Sequence, residues 1–296
     1  MHSDDHIWRQ IEMLLSDAHD SVILVAPFVK RAVFNSLLAA IPASVQRIDC
    51  ITRWTPSEVA AGVSDPEILE IAQVDPRVSV WLCATLHAKV YIADARCLVG
   101  SANLTAKATG RTPGPNIEIL IETHTTHPEV DRVMRALDNR KSAATSQLAA
   151  LIRAQANLLT DGINTPAMEP HLWYPTTRRP EDMFRFYSGK DNFSPAVEDG
   201  MLKDLAVLDL PAGLRESEFR SAVENQLHSI PELSELLKGE SITNSDLERA
   251  IEARSSLDNH KSRRIAENIA AWLKHFGDYY TQVGSWELRH GRELSR

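Results

Sequence analysis

Residues 87–118, HAKVYIADARCLVGSANLTAKATGRTPGPNIE, hold two apolar runs of strand length around a Gly-Ser-x-Asn turn, and a third run opens at Asn116. Side chains along a strand alternate between faces. His87, Lys89 and Tyr91 therefore share one face, while Leu86, Ala88, Val90 and Ile92 share the other. A cation beside an imidazole makes a poor core and a good cradle for a phosphate. In the turn, Gly100 lets backbone come close to a ligand, and Ser101 and Asn103 supply neutral hydrogen-bond donors. Glu118 shares a face with Leu120, with Ile117, Ile119 and Ile121 alternating opposite. A carboxylate in so apolar a strand calls for a partner, and an imidazole Nδ1–H suits it. Simpler roles exist for single members of the set: Asn103 fits the N-cap of a short helix LTAKA, and Asp94 fits a hairpin turn.

Working outward, the first half alternates between helix and strand patterns. Helical spacing over 6–18 precedes a buried strand over 21–29. A helix over 32–41, a strand over 45–53 and a short helix over 66–73 follow. Strands then crowd together at 77–83, 86–93, 97–100 and 116–123, and helices at 128–138 and 140–158 close the half. Alternation followed by consecutive strands predicts an α/β fold with a mixed sheet flanked by helices. Residues 159–296 read differently. An aromatic and proline-rich connector over 159–190 leads to helical patterns at 215–228, 231–238, 244–256 and 260–278, and the tail from 284 is ambiguous. The expected organisation is a catalytic domain over 1–158 and a mainly α-helical accessory domain over 159–296, which binds DNA or docks a partner.

Composition sets the class. The chain has 296 residues, 43% hydrophobic and 24% charged, as expected for a globular protein rather than a disordered one. No run approaches the roughly 18 apolar residues of a membrane span, and the start, MHSDDHIWRQ, lacks the basic-then-apolar pattern of a secretory signal. The three cysteines, Cys50, Cys83 and Cys97, lie inside apolar runs and fit no zinc spacing. They read as buried thiols of a reducing compartment, so the expectation is a cytoplasmic protein without a membrane partner. The net charge is -8, so a polyanion has to be gripped by a local basic site rather than by the whole surface. The pairs Arg178-Arg179 and Arg263-Arg264 read first as solvated helix ends. Trp173, Tyr174, Phe184, Phe186 and Tyr187 read first as glue between domains, and second as a platform for bases.

Taken together, His87-x-Lys89, four residues, Asp94, then Gly100-Ser101-x-Asn103 and Asn116-x-Glu118 resemble the phospholipase D superfamily. Five residues separate Asp94 from Gly100 where that family usually has six. LVAPFV and the strand ending ITRW also resemble its early strands, which makes Arg53 and Trp54 near-site candidates. The likeness covers residues 6–140. It implies His87 as nucleophile through a phosphohistidine, and Lys89, Asn103 and Ser101 as ligands of the non-bridging oxygens. Glu118 would orient His87, Gly100 and Arg53 would contact substrate, and Asp94 would be structural near the site. No cofactor and no metal are called for.

The family pattern has two copies of the motif in one site, and no second H-x-K occurs in this chain. Two copies of the chain are therefore expected to share a site across a twofold axis. Single-motif members resemble small bacterial nucleases and the catalytic halves of restriction enzymes. A DNA endonuclease of restriction, anti-phage defence or repair is thus favoured, with an ATPase as one kind of partner. The alternatives are a lipid phosphodiesterase and a non-catalytic dimerising scaffold of the same fold.

Overall fold

In the computed structural model, residues 5–162, 173–190, 193–255, 257–282 and 286–291 are described. The first half runs α1 (His6–Ser16), β1 (Ser21–Val25), α2 (Arg31–Leu38), β2 (Arg47–Thr52), α3 (Pro56–Ala60), α4 (Ile68–Val74) and β3 (Val78–Leu82). It continues with β4 (Val90–Ala93), β5 (Arg96–Gly100), β6 (Leu120–His124), α5 (Pro128–Arg140), β7 (Ser142–Ala143) and α6 (Ser146–Thr160). Local chemistry starts these helices. Thr55 caps α3 by accepting from Glu58 N–H, with Pro56 in the first turn, and His127 caps α5 ahead of Pro128. His127 is thus a capping residue.

The seven strands form one mixed sheet in the order β6-β5-β4-β1-β2-β3-β7. β1, β2 and β3 are parallel, whereas β4 runs against β1, β5 against β4, and β6 against β5. On one face, α1, α2 and α6 cover a core that includes Leu24, Cys50, Val80, Tyr91 and Leu98. On the other, Val130 and Leu137 of α5 pack against Val25, Ile51, Val90, Ile92 and Cys97. All three cysteines are buried and free; burial pushes the Cys50 thiol up to about 12 and the Cys97 thiol to about 11. Trp54 is fully buried in the first core, so it is a packing residue and not a site residue.

This topology decides where the site forms. The C-terminal ends of β1, β2, β3 and β5 and the N-terminal ends of β4 and β6 all lie along one edge of the sheet. The parallel strands leave β1 on one side and the antiparallel ones on the other, so connections from both sides meet at this end. Two expected strands are shorter than their apolar patterns: β4 begins at Val90 and β6 at Leu120. His87, Lys89 and Glu118 thereby fall in the connections, although pairing continues there: Gly100 N–H donates to the Lys89 carbonyl at 3.3 Å.

Contacts divide the chain into two compact units, one through Ala156 with Pro211–Leu214, the other Asn157–Leu210 and from Arg215 on. Pro211–Leu214 count with the first unit, where Ala212 N–H donates to the Trp54 carbonyl at 2.8 Å. The second unit contains α7 (Met183–Tyr187), α8 (Pro195–Leu208), α9 (Glu216–His228), α10 (Ser234–Leu237), β8 (Ile242–Thr243), α11 (Asn244–Ser255), α12 (Asn259–Phe276), β9 (Tyr279–Gln282) and β10 (Glu287–His290). It is mainly helical, as expected, with a small antiparallel sheet, β8-β10-β9, added. The expected connector falls partly outside the described residues, at 163–172.

The aromatics of this unit pack on one another. Trp173 meets Trp272 edge-on at 5.4 Å, and Tyr187, Phe184 and Phe276 surround Phe219. Buried Asp204 accepts from Trp173 Nε1 and from the amides of Thr176 and Thr177. Burial raises its carboxyl above the usual range despite those donors. Of the basic clusters, Arg179 pairs with Glu181, and Arg263 with Glu267 on an exposed face, in keeping with solvated helix ends.

Candidate functional site

At this end of the sheet Arg53 follows β2, the β3–β4 connection carries His87 and Lys89, Ser101 follows β5, and the long β5–β6 connection carries Asn103 and Glu118. His87 is exposed, whereas Lys89, Asn103 and Glu118 are half-buried. Lys89 Nζ donates to the His87 carbonyl at 2.9 Å, which leaves two ammonium hydrogens for a ligand. Burial holds the Lys89 ammonium below the usual lysine range, with the Glu118 carboxylate opposing that shift and the Arg53 guanidinium adding to it. The Lys89 ammonium therefore lies within electrostatic reach of both Glu118 and Arg53.

Gly100 has a specific steric reason. A Cβ built there would lie 1.8 Å from the Ile119 carbonyl oxygen, so only glycine lets the two connections close. Ser101 then clasps them together. Its N–H donates to the Ile119 carbonyl at 3.0 Å, its Oγ accepts from Ile119 N–H at 3.1 Å, and its hydroxyl hydrogen goes to Glu118 Oε2. Asn116 Nδ2 donates to the other Glu118 oxygen at 3.1 Å. Asn103 Oδ1 accepts from Phe28 N–H at 3.3 Å, so its Nδ2 group is turned to the other side as a donor. Beneath them, the Tyr91 hydroxyl donates to the Ala102 carbonyl at 2.5 Å. Tyr91 is thus a core strut, although the strand pattern puts it on the face of His87 and Lys89.

Four expectations are revised by this geometry. Glu118 is engaged by Ser101 and Asn116 rather than by the His87 ring. Ser101, expected to grip a phosphate oxygen, directs its hydrogen at Glu118 and acts as a clasp. Arg53, expected to contact substrate, is held by Glu58 through Nε and Nη2 and donates Nη1 to the Leu86 carbonyl at 3.0 Å. Asp94 is structural but remote. It stands at the far end of β4, about 16 Å from Lys89 at the ~3.3 Å rise of a strand, where it accepts from the amides of His19, Asp20 and Ser21.

Sequence reasoning missed Glu58 and Phe28, and gave Asn116 no role of its own. Asn116 stands in the quoted Asn-x-Glu. Glu58 carried the signal Thr-x-x-Glu of a capped helix, which gave its place on α3 and not its partner. Among the described residues, no three His, Cys, Asp or Glu side chains gather as a metal site, and no helix is long and apolar enough to cross a membrane.

No protein-family model and no curated protein matches the sequence. Among solved structures, the chain is similar to NucT from Helicobacter pylori, with 18% identity and a TM-score of 0.35 over 47% of this chain and 89% of that one. It is also similar to Nuc from Salmonella typhimurium, described as a phospholipase D family member, with 16% identity and a TM-score of 0.36 over 47% and 91%. A third likeness is to the phosphatidylserine synthase of Haemophilus influenzae, at 13% identity and a TM-score of 0.39 over 54% and 43%. At such identities and TM-scores none of these decides an activity or a substrate.

Proposed function

We propose that this chain is a phosphodiesterase that works through a phosphohistidine at His87, with DNA as the favoured substrate. The observation that supports the reading is that the β3–β4 connection with His87 and Lys89 and the β5–β6 connection with Asn103 and Glu118 meet at the same end of the sheet. Neutral imidazole is nucleophilic near pH 7. One ring nitrogen of His87 attacks phosphorus, the N–P bond forms as the P–O bond breaks, and the leaving oxygen takes a proton. Water then attacks phosphorus, the N–P bond breaks, and the group that gave the proton takes one back. Lys89 Nζ and Asn103 Nδ2 are the donors free to meet the non-bridging oxygens as charge builds. Glu118, fixed by Ser101 and Asn116, supplies negative charge beside Lys89 and steadies the cationic intermediate.

The acid is His87 of the partner subunit in a homodimer, because one motif furnishes one imidazole. Ile117, Ile119 and Ile121, exposed on the strand that borders Glu118, favour such an assembly. Cleavage serves restriction, defence or repair, with the second unit recruiting DNA or a partner such as an ATPase. The chemistry asks for no cofactor.

The test is incubation with labelled single- and double-stranded DNA and RNA in excess EDTA, wild type beside His87→Ala. Cleavage that persists in EDTA, vanishes in His87→Ala and leaves an acid-labile phosphoryl group on the wild-type protein supports the reading. Loss of activity to chelator with rescue by magnesium, or headgroup release from phospholipid vesicles without nucleic-acid cleavage, overturns the mechanism or the substrate respectively.

A further inference from the structure

Arg53 stands at the same end of the sheet with every guanidinium nitrogen engaged by protein groups. It follows the last residue of β2, and its neighbour Trp54, fully buried, fixes the backbone there. Glu58 in the first turn of α3 binds the guanidinium through two of its nitrogens. Both side chains are about four-fifths buried, with 19% and 17% exposure. The third guanidinium nitrogen, Nη1, donates at 3.0 Å to the carbonyl of Leu86, the residue directly before His87. The guanidinium also lies 5.8 Å from the centre of the Phe28 ring, and Phe28 N–H is the group that holds the Asn103 amide. One side chain thus ties the segment carrying the imidazole to the segment orienting the asparagine, with its charge cancelled by Glu58. An arginine serving as an anion receptor would present an open fork; this one has each of its nitrogens engaged.

We propose that Glu58 and Arg53 are a positioning pair for His87, setting the Leu86–Lys89 segment and the Asn103 amide at their working separation. This rests on the reading of His87 as nucleophile. A strut differs from a substrate ligand in its kinetics. Displacing a nucleophile by about 1 Å costs roughly a hundredfold in rate, whereas removing uniform substrate binding raises KM and spares kcat. Lysine cannot replace the strut, because an ammonium lacks the planar fork that spans Glu58 and the Leu86 carbonyl together.

The experiment measures kcat and KM on bis-para-nitrophenyl phosphate for Glu58→Gln, Arg53→Lys and Arg53→Gln, with backbone amide exchange over residues 86–89 followed in the same proteins. Glu58→Gln is nearly isosteric and guards against loss of the fold. The expected result is a fall in kcat of about tenfold for Glu58→Gln and about a hundredfold for either Arg53 variant. KM should stay within about twofold, and exchange over 86–89 should be faster in all three. Raised KM with unchanged kcat would make Arg53 a substrate ligand and overturn the proposal, as would unaltered exchange. If the wild type cleaves no phosphodiester, the nucleophile reading fails, and the exchange data alone then uphold or refute the clamp.

Discussion

Asp94 shows how one residue of a motif can act on the fold rather than on the chemistry. Its backbone adopts φ 55°, a left-handed conformation that aspartate and asparagine tolerate better than other residues with a Cβ. The three amides donated to it come from the α1–β1 turn, so it pins the start of the central strand. Those donors hold its carboxyl below the usual carboxylate range, the Ser21 amide contributing most. The sign follows from linkage: with the folded pKa depressed, the contribution is present above the unfolded pKa and is lost as pH falls through the folded one. Asp94→Ala is expected to lower the unfolding free energy by about 1–2 kcal/mol at neutral pH, discounted for its partial exposure. Asp94→Asn should cost about half as much, since it keeps one acceptor and the turn. Denaturant titrations across pH should show the gap between wild type and Asp94→Ala closing below the normal carboxyl range. A gap that is constant with pH would assign the effect to backbone strain alone.

At the scale of elements, the edge strand β6 carries the next inference. Ile121 pairs with Val99 of β5, so it lies on the sheet face that α5 covers farther in. The helix does not reach the edge: Ile119 and Ile121 are each 58% exposed, and Ile117 is fully exposed. Exposed apolar side chains at the end of a sheet invite another chain, and this segment leads straight into Glu118. The double variant Ile119→Lys/Ile121→Lys is expected to turn a dimer into a monomer in sedimentation velocity and to lose activity with it. Its thermal midpoint should stay within about 2 °C, because exposed positions add little to folding. A variant that remains dimeric would move the interface elsewhere on the first unit.

The same strand shows how far the sequence could be read. Its period-two pattern was legible from Asn116 to Thr123, and so was the mixed sheet. The pattern did not reveal that the ladder stops at Leu120, because alternation reports which face a side chain takes and not whether a neighbour pairs with it. The site residues were visible as a set in His87, Lys89, Asn103 and Glu118. The partners of Arg53 and Glu118 were not, since Glu58 and Asn116 reach them through contacts set by the turns at the sheet edge.

On the scale of the whole molecule, the decisive question is whether one site needs two chains. A single imidazole can attack phosphorus, but the departing oxygen then leaves as an alkoxide unless a second acid stands opposite. If that acid is the other copy's imidazole, a mixed dimer of wild type and His87→Ala has one imidazole where two are required. Random exchange of equal amounts gives wild-type pairs as about a quarter of all dimers. At constant total protein, activity should therefore fall to about one quarter of the wild-type value once subunits have exchanged. Independent sites, each complete within one chain, would give about one half, before exchange and after it. Mixing at a concentration where sedimentation finds dimer, with activity followed over time, separates the two. A decline from one half toward one quarter as chains exchange is the signature of a shared site, and a steady half would mean that the proton comes from within the same chain.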